Sequence, residues 1–305
     1  MDFDFDSDHI ALEAGLDQLL AKYRGALPVG SAAALQDDPA IAASLREAGY
    51  FDIEREMGAT GAVMLIEAVA KLPYTLEVAA SALVAPKLSK QPLRGPIALS
   101  QGSLATPTRF LAQAATALII DGSQVRAFDM AGSKVESLTS QFAYPYGRCA
   151  AADTAKAPLL PGVTASQLVH WWQVGLAAEI VGAMHSAIDL TVEYVKNRRQ
   201  FNRPLGSFQV IQHRLSECTV LHHAARLLTY KAAWSGEPSD AALAAAYAQD
   251  AAVRVVYETH QFHGAIGLTL EYPLHYWTNR LRRLQGELGG ASQQGSRAAQ
   301  VLWAA

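Results

Sequence analysis

The feature that most constrains this chain is an apolar stripe in its second half. Leu168, Trp172, Leu176, Ile180, Met184, Ile188 and Val192 recur every four residues. That period keeps one face of an α-helix apolar for about eight turns. So long a stripe needs neighbouring helices to cover it, so residues 163 to 305 are expected to form an antiparallel bundle with short connections. A second long helix fits residues 206 to 235, with Phe208, Ile211, Leu215, Cys218 and Leu221 inward. Gly236 and Pro238 break the chain, and Ser239 is expected to cap a third helix that ends near Gly264. A fourth helix follows Pro273, and a fifth closes the chain. The stripes over 168 to 192 and 211 to 228 exceed what one small bundle needs, which predicts an interface with another chain.

Upstream the pattern changes twice. Residues 1 to about 92 have helical periodicity. Ser7 and Asp8 are expected to cap a helix running through Ile10, Leu12, Leu16, Leu19 and Leu20, ended by Pro28 and Gly30. Further helices fit Pro39 to Ala48, Gly61 to Leu72 and Leu76 to Leu88, with Gly49 and Pro73 as breaks. Residues 93 to 162 carry strand signals instead. Pro96 to Leu99 is a short apolar run, and Thr116 to Ile120 and Val125 to Phe128 flank Asp121-Gly122, a strong hairpin signal. Val135 to Leu138 offers one more strand. The expected fold class is α+β, mainly α. It has an N-terminal helical domain (1–92), a small β domain (93–162) and a C-terminal helical bundle (163–305).

Composition narrows the function. The 305 residues are 50% hydrophobic and 17% charged, enough for a large core, and the formal charge of −3 gives no basic excess for a nucleic-acid backbone. Two cysteines, Cys149 and Cys218, exclude a disulfide framework or a cysteine-ligated metal cluster. His260 and His263 are spaced i,i+3 and His222 and His223 are adjacent, but a metal site needs three or more converging ligands, so no metal is expected. The acidic start MDFDFDSDHI is unlike a secretory signal, and no apolar run reaches 18 residues. A cytoplasmic protein without a membrane span is expected.

Two segments carry chemistry. The first runs Asn197-Arg198-Arg199-Gln200-Phe201-Asn202-Arg203-Pro204-Leu205-Gly206-Ser207-Phe208-Gln209. Three arginines between one helix end and the next helix start suit a diphosphate, with Phe201 as a flat surface beside them. A basic solvated loop is the alternative. The second segment is Gln261-Phe262-His263-Gly264-Ala265-Ile266-Gly267, followed by Glu271-Tyr272-Pro273. Its glycines allow a backbone to approach a ligand closely, and a helix C-cap explains Gly264 equally well.

Together these segments resemble the acyl-CoA dehydrogenase family. Its members carry an Arg-x-Gln-Phe-Gly-x-Pro-like loop followed by Phe-Gln, and later a Gln-x-x-Gly-Gly-x-Gly-like turn followed by Glu-Tyr-Pro. The counterparts are Arg198 to Gln209 and Gln261 to Pro273, about 60 residues apart as in the family. The resemblance covers residues 163 to 290 and, more faintly, Phe110 to Gly147. It implies an acyl-CoA dehydrogenase-like fold with FAD as cofactor. It further implies that Arg198, Phe201, Gln209, Gln261 and Gly264 bind the adenine and pyrophosphate end of an FAD belonging to a neighbouring subunit. Asn202 stands where glycine is usual, and Ala265 replaces the second glycine.

The absences are as informative. Ile97 to Phe110 lacks the family's Thr-Glu-Pro-rich segment and Trp-Ile-Thr-like strand, and the whole β unit is shortened. The family's catalytic base is a glutamate in one of two places. One is a Tyr-Glu-Gly-Thr loop, where this chain reads Leu288-Gly289-Gly290-Ala291-Ser292. The other lies 29 residues before Phe201, at Trp172. Neither holds a carboxylate. Glu287 lies beside the loop position and is expected to be an exposed loop residue, and Glu179 and Glu193 lie off the helix position. No catalytic residue is assigned to this chain.

A chain of this kind resembles the short, base-less subunit of the heterotetrameric (α2β2) acyl-CoA dehydrogenases of bacterial steroid side-chain degradation. The resemblance implies a full-length partner carrying the glutamate, an acyl-CoA substrate with a bulky acyl group, and an electron-transfer acceptor. The rival readings are a non-enzymatic scaffold of the same family and an active homo-oligomer using Glu287.

Overall fold

In the computed structural model, which describes residues 4–24, 39–142 and 144–303, helix α1 (Ser7–Leu20) is capped by Asp6. Its carboxylate accepts from the backbone N–H groups of Asp8 and His9, so the cap lies one residue ahead of Ser7. Leu12, Leu16 and Leu20 turn inward, while Ile10 faces solvent. Pro28 and Gly30, expected to end this helix, lie outside the described residues. Helix α2 (Pro39–Glu47) precedes Gly49 at φ 79°. Helix α3 (Ile53–Ala70) begins well before Gly61, because an initial turn joins it across Gly58 at φ 71°. The single helix expected over Leu76 to Leu88 is instead a π-helical stretch (Ala80–Val84) running into α4 (Ala85–Leu88). The buried Glu77 carboxylate accepts from the backbone N–H groups of Ala80 (2.8 Å), Ser81 (3.1 Å) and Ile97 (3.0 Å), which holds the residues before Ala79 out of helical geometry.

The β segment makes two small sheets. Strands β1 (Ile97–Ser100), β3 (Thr116–Asp121), β4 (Gln124–Asp129) and β7 (Leu159–Thr164) form one, in the order β1-β3-β4-β7. β1 runs parallel to β3, and β3 and β4 are the expected hairpin, with Asp121 opposite Gln124. Strands β2 (Thr108–Arg109), β6 (Tyr146–Arg148) and β5 (Glu136–Leu138) form the other.

Helix α5 (Ala165–Asn197) then runs 33 residues from a capping box made by Thr164 and Gln167. Helices α6 (Gln209–Ser235) and α7 (Pro238–His263) pack against it as an antiparallel pair. Pro238 takes the first position of α7 behind Glu237, so Ser239 lies inside the first turn and is not the cap. Helices α8 (His275–Leu284) and α9 (Gly290–Trp303) complete the bundle.

The stripe of α5 is consumed within the chain. Leu168, Trp172, Leu176, Ile180, Met184 and Ile188 are all buried. One core joins the last five of them to Leu12, Leu65 and Leu83 of the N-terminal helices and to Ala248 and Val255 of α7. Gly182 lets α3 and α5 touch, since a Cβ there would lie 2.4 Å from the Glu67 carbonyl oxygen. The expectation that this stripe marks an interface is therefore corrected: α3 and α7 cover it. α5 is long and apolar enough by length and composition to cross a membrane, but 72% of the relevant window is buried inside the fold. Exposed apolar residues lie elsewhere, among them Val220, Leu227 and Trp234 at seven-residue spacing on α6.

Candidate cofactor site

The first chemical segment folds as a β-hairpin between α5 and α6. Arg199–Gln200 (β8) pairs antiparallel with Arg203–Pro204 (β9), leaving Phe201 and Asn202 as a two-residue turn. A two-residue hairpin of the favoured hand needs positive φ at both central positions. Phe201 sits at 55° and Asn202 at 65°. Asparagine tolerates that region; phenylalanine does so at a cost of roughly 1–2 kcal/mol. The Phe201 ring is nevertheless 81% exposed. Its nearest aromatic neighbour is Phe208, edge-on at 6.0 Å, and the Arg203 guanidinium lies over the Phe208 ring at 3.8 Å. The Leu205 N–H donates to the Arg198 carbonyl (2.8 Å) and closes the base of the hairpin. No side chain caps the start of α6.

The second segment is the end of α7. Gly264 caps the helix at φ 63° and faces open space, since a Cβ added there would meet nothing within 4 Å; a short 3₁₀ turn follows. His263 stacks on Tyr194 of α5 (4.3 Å), and Phe262 packs against Val195 and Leu215 beneath the hairpin. The fold thus brings both segments to one end of the bundle. Arg198, Phe201, Gln209, Gln261 and Gly264 are all exposed there. The side chains of Arg198, Gln209 and Gln261 make no hydrogen bond or ion pair among the described residues.

The region around Glu287 is the opposite. Its carboxylate is 5% exposed, so the expectation of an exposed loop glutamate is corrected. Arg283 approaches it at 2.9 Å and Arg109 at 3.7 Å. Arg109 also donates to both carboxylate oxygens of Glu179 at 2.8 Å, and the Tyr144 hydroxyl donates to Glu179 at 2.6 Å. Burial opposes the charge on Arg109, but Glu179 and Glu287 hold its guanidinium well above its ordinary pKa. Burial, reinforced by the Glu179 carboxylate, pushes the Tyr144 phenol well up. Arg283 in turn donates to the Tyr146 hydroxyl.

The loop carrying Glu287 is strained and pinned. Leu288, Gly289 and Gly290 have φ of 55°, 91° and 75°. The Gln249 amide donates to the carbonyls of Leu284 (2.8 Å) and Glu287 (2.9 Å), and the Gln294 amide to that of Leu288 (2.6 Å). Surroundings that over-determine a backbone in this way let it persist in a sparsely populated conformation.

Arg109, Trp172 and Glu287 form a partition. On one side is an open cleft of about 200 Å³ reaching Thr106, Arg283 and Gly286. On the other is an inner chamber of about 40 Å³ walled by Ile66, Val69, Leu76 and Leu176. The chamber as it stands has room for a few waters. Sequence reasoning missed this cluster, although one signal was present. A carboxylate at Glu179 on a largely buried helix demands a buried cationic partner, but nothing in the sequence says that Arg109 supplies it.

Comparison with known proteins bears on the fold. Residues 163–297 match the family model of the acyl-CoA dehydrogenase C-terminal domain. The chain is 38% identical over 127 residues to acyl-CoA dehydrogenase IpdE2 of Mycobacterium tuberculosis, a span of 37% of this chain and 40% of that protein. The matched span is thus less than half of that relative's length. Among solved structures, a Tcur3481-Tcur3483 steroid ACAD superposes with TM-score 0.80 at 21% identity, covering 97% of each chain. The ChsE4-ChsE5 complex from Mycobacterium tuberculosis superposes with TM-score 0.76 at 20% identity, covering 99% of each. Residues 163–297 thus resemble the acyl-CoA dehydrogenase C-terminal domain, and the chain as a whole has the fold of the acyl-CoA dehydrogenases.

Proposed function

We propose that this chain is one subunit of a heteromeric FAD-dependent acyl-CoA dehydrogenase, and that it is not the subunit bearing the base. Arg198, Phe201, Gln209, Gln261 and Gly264 take the adenine and pyrophosphate end of an FAD shared with a full-length homologous chain. The contrast between two regions carries this reading. The exposed end of the bundle holds unengaged donors, whereas the charges lining the cleft between the sheets and the bundle are paired with one another. The donor set fits the group: a guanidinium fork matches phosphate oxygens, two amides reach polar edges, and an exposed ring offers a stacking face.

In this reading the residues 163–305 lend the cofactor face, 1–92 brace it through the shared core, and 93–162 are a shortened β unit. The reaction is α,β-dehydrogenation of an acyl-CoA. The partner's glutamate takes the α-proton, and FAD, when bound, supplies the hydride acceptor for the β-carbon; an electron-transfer acceptor completes the cycle. A bulky acyl group, such as a steroid side chain, is the proposed substrate class, in line with the steroid ACAD that shares the fold. A homo-oligomer using Glu287 is the weaker reading, because that carboxylate is committed to two guanidiniums.

The test is co-purification with the full-length homologue and a flavin spectrum. A yellow heteromer that dehydrogenates an acyl-CoA is expected, with little flavin on this chain alone. A colourless heteromer would favour the scaffold reading. A fully flavinated, active preparation of this chain by itself would overturn the proposal.

A further inference from the structure

Glu258 lies on α7, one turn before Gln261, and its side chain is 0% exposed. Burying a carboxylate so fully is costly unless cations compensate. Two do: Arg254 of the same helix at 2.8 Å, and Arg214 from the first turns of α6. Arg254 also reaches Glu217 at 3.4 Å. The Arg214 guanidinium lies over the Phe262 ring at 5.1 Å. Phe262 packs with Val195 and Leu215 in a small apolar cluster that stands apart from the main core, with Leu205 and Ile211 at its margin. Leu205 is the residue whose N–H closes the hairpin on Arg198. A continuous set of contacts therefore runs from the buried carboxylate through Arg214 and Phe262 to the base of the hairpin.

We propose that Glu258 is a positioning residue for the cofactor face. It fixes the start of α6 against the end of α7, so that Arg198 and Gln209 on one side and Gln261 on the other present to one ligand. This rests on the proposed role of those residues in holding FAD. The rest of the α6–α7 pair has its own support. Cys218, Ala225 and Ala232 of α6 and Ala244, Ala248 and Ala251 of α7 belong to the main core. The ion pairs act at the margin of that core, beside Val255 and Val256, on the end that carries the candidate site.

The experiment uses the heteromer and the variant Glu258→Gln, which keeps volume and removes the charge. Flavin fluorescence on dilution reads FAD affinity. Hydrogen exchange on flavin-free protein reads order over residues 198–209 and 261–264. The expected result is about tenfold weaker FAD binding, a factor equal to about 1.4 kcal/mol. Faster exchange is expected in those two segments, with α3 and the centre of α5 unchanged. In Arg198→Ala combined with Glu258→Gln, the two losses should not multiply, because both act through the same contact.

Arg214→Gln serves as the second variant if Glu258→Gln does not fold, since Arg214 is partly exposed and its loss leaves Arg254 beside the carboxylate. Normal FAD affinity in the Glu258 or Arg214 variant, alongside loss in Arg198→Ala, overturns the positioning role and leaves the cofactor face standing. If Arg198→Ala also binds FAD normally, the cofactor reading has failed, and unchanged exchange over 198–209 then overturns the positioning role as well.

Discussion

The two ends of this molecule handle polar groups in opposite ways. Around Arg109 the charges are buried or half-buried and paired: Glu179, Glu287 and Arg283 join ion pairs beneath a strained loop. At the other end, Arg198, Gln209 and Gln261 are exposed with no hydrogen bond or ion pair from their side chains among the described residues, and an aromatic ring stands in solvent on a left-handed backbone. Charges paired with one another leave few free groups for a ligand. A face with free donors and a solvent-exposed ring suits completion by something outside the chain. On the proposed function, the first region is structural and the second serves recognition.

The largest expected effect tests whether chemistry lies outside the Arg109 region. In the proposed heteromer, replacing the partner's catalytic glutamate by glutamine should lower turnover by the roughly 10²- to 10⁴-fold or more typical of a general base. Glu287→Gln in this chain should leave kcat nearly unchanged while lowering the unfolding midpoint, because Arg109 and Arg283 lose a charged partner. Flavin content is measured first in both. A collapse of kcat in Glu287→Gln with flavin retained would make this chain the catalytic subunit.

Arg109→Ala should be the most damaging substitution for stability. It strands the Glu179 carboxylate, and removing one partner of a buried pair typically costs about 3–5 kcal/mol. Arg109→Met should cost less if Glu179→Leu accompanies it, since a matched apolar pair of similar volume is tolerated where a lone charge is not. Thermal denaturation of the three proteins decides. An Arg109→Ala chain as stable as the parent would mean that the cluster is solvated and the region not closed.

The two regions were unequally legible in the sequence. The recognition end is local: its residues lie within two short segments, and a four-residue apolar period is enough to place both at helix ends. The closed end is assembled from β2, α5 and the loop before α9, and residues as far apart as Arg109 and Glu287 meet there. No spacing rule reports such a meeting. The same limit explains Glu287, whose neighbours Gly286, Gly289 and Gly290 read as an exposed turn. Amides from Gln249 and Gln294 pull that turn into the interior. Periodicity also placed the α5 stripe correctly but not what covers it, because α3 and α7 reach it only through the tertiary fold.

At the recognition end, Arg198→Ala should weaken FAD binding to the heteromer by roughly 10- to 100-fold, corresponding to a charge-assisted bond of about 1.5–3 kcal/mol. Assembly should survive, because the Arg198 side chain makes no hydrogen bond or ion pair among the described residues and its backbone bonds to Tyr194 and Leu205 do not depend on the guanidinium. Flavin release on dilution measures the first effect, and sedimentation the second. Unchanged flavin retention would return the segment to a solvated basic hairpin.

The smallest effect is the sharpest probe of the comparison, because stability and recognition should move in opposite directions. Phe201 occupies the first central position of a turn that favours asparagine or glycine, and its ring gains little burial in return. Phe201→Asn should therefore stabilise the chain, by about 0.5–1 kcal/mol, since asparagine visits the left-handed region more readily. The same change removes the flat face proposed for adenine, so FAD affinity should fall several-fold, in line with the roughly 0.5–1.5 kcal/mol of an aromatic contact. Denaturant midpoints of the chain and flavin titration of the heteromer give the two readouts. A variant that is less stable would show that the ring packs within the chain. A variant that is more stable and binds FAD as well as the parent would leave the strained phenylalanine without a role in recognition.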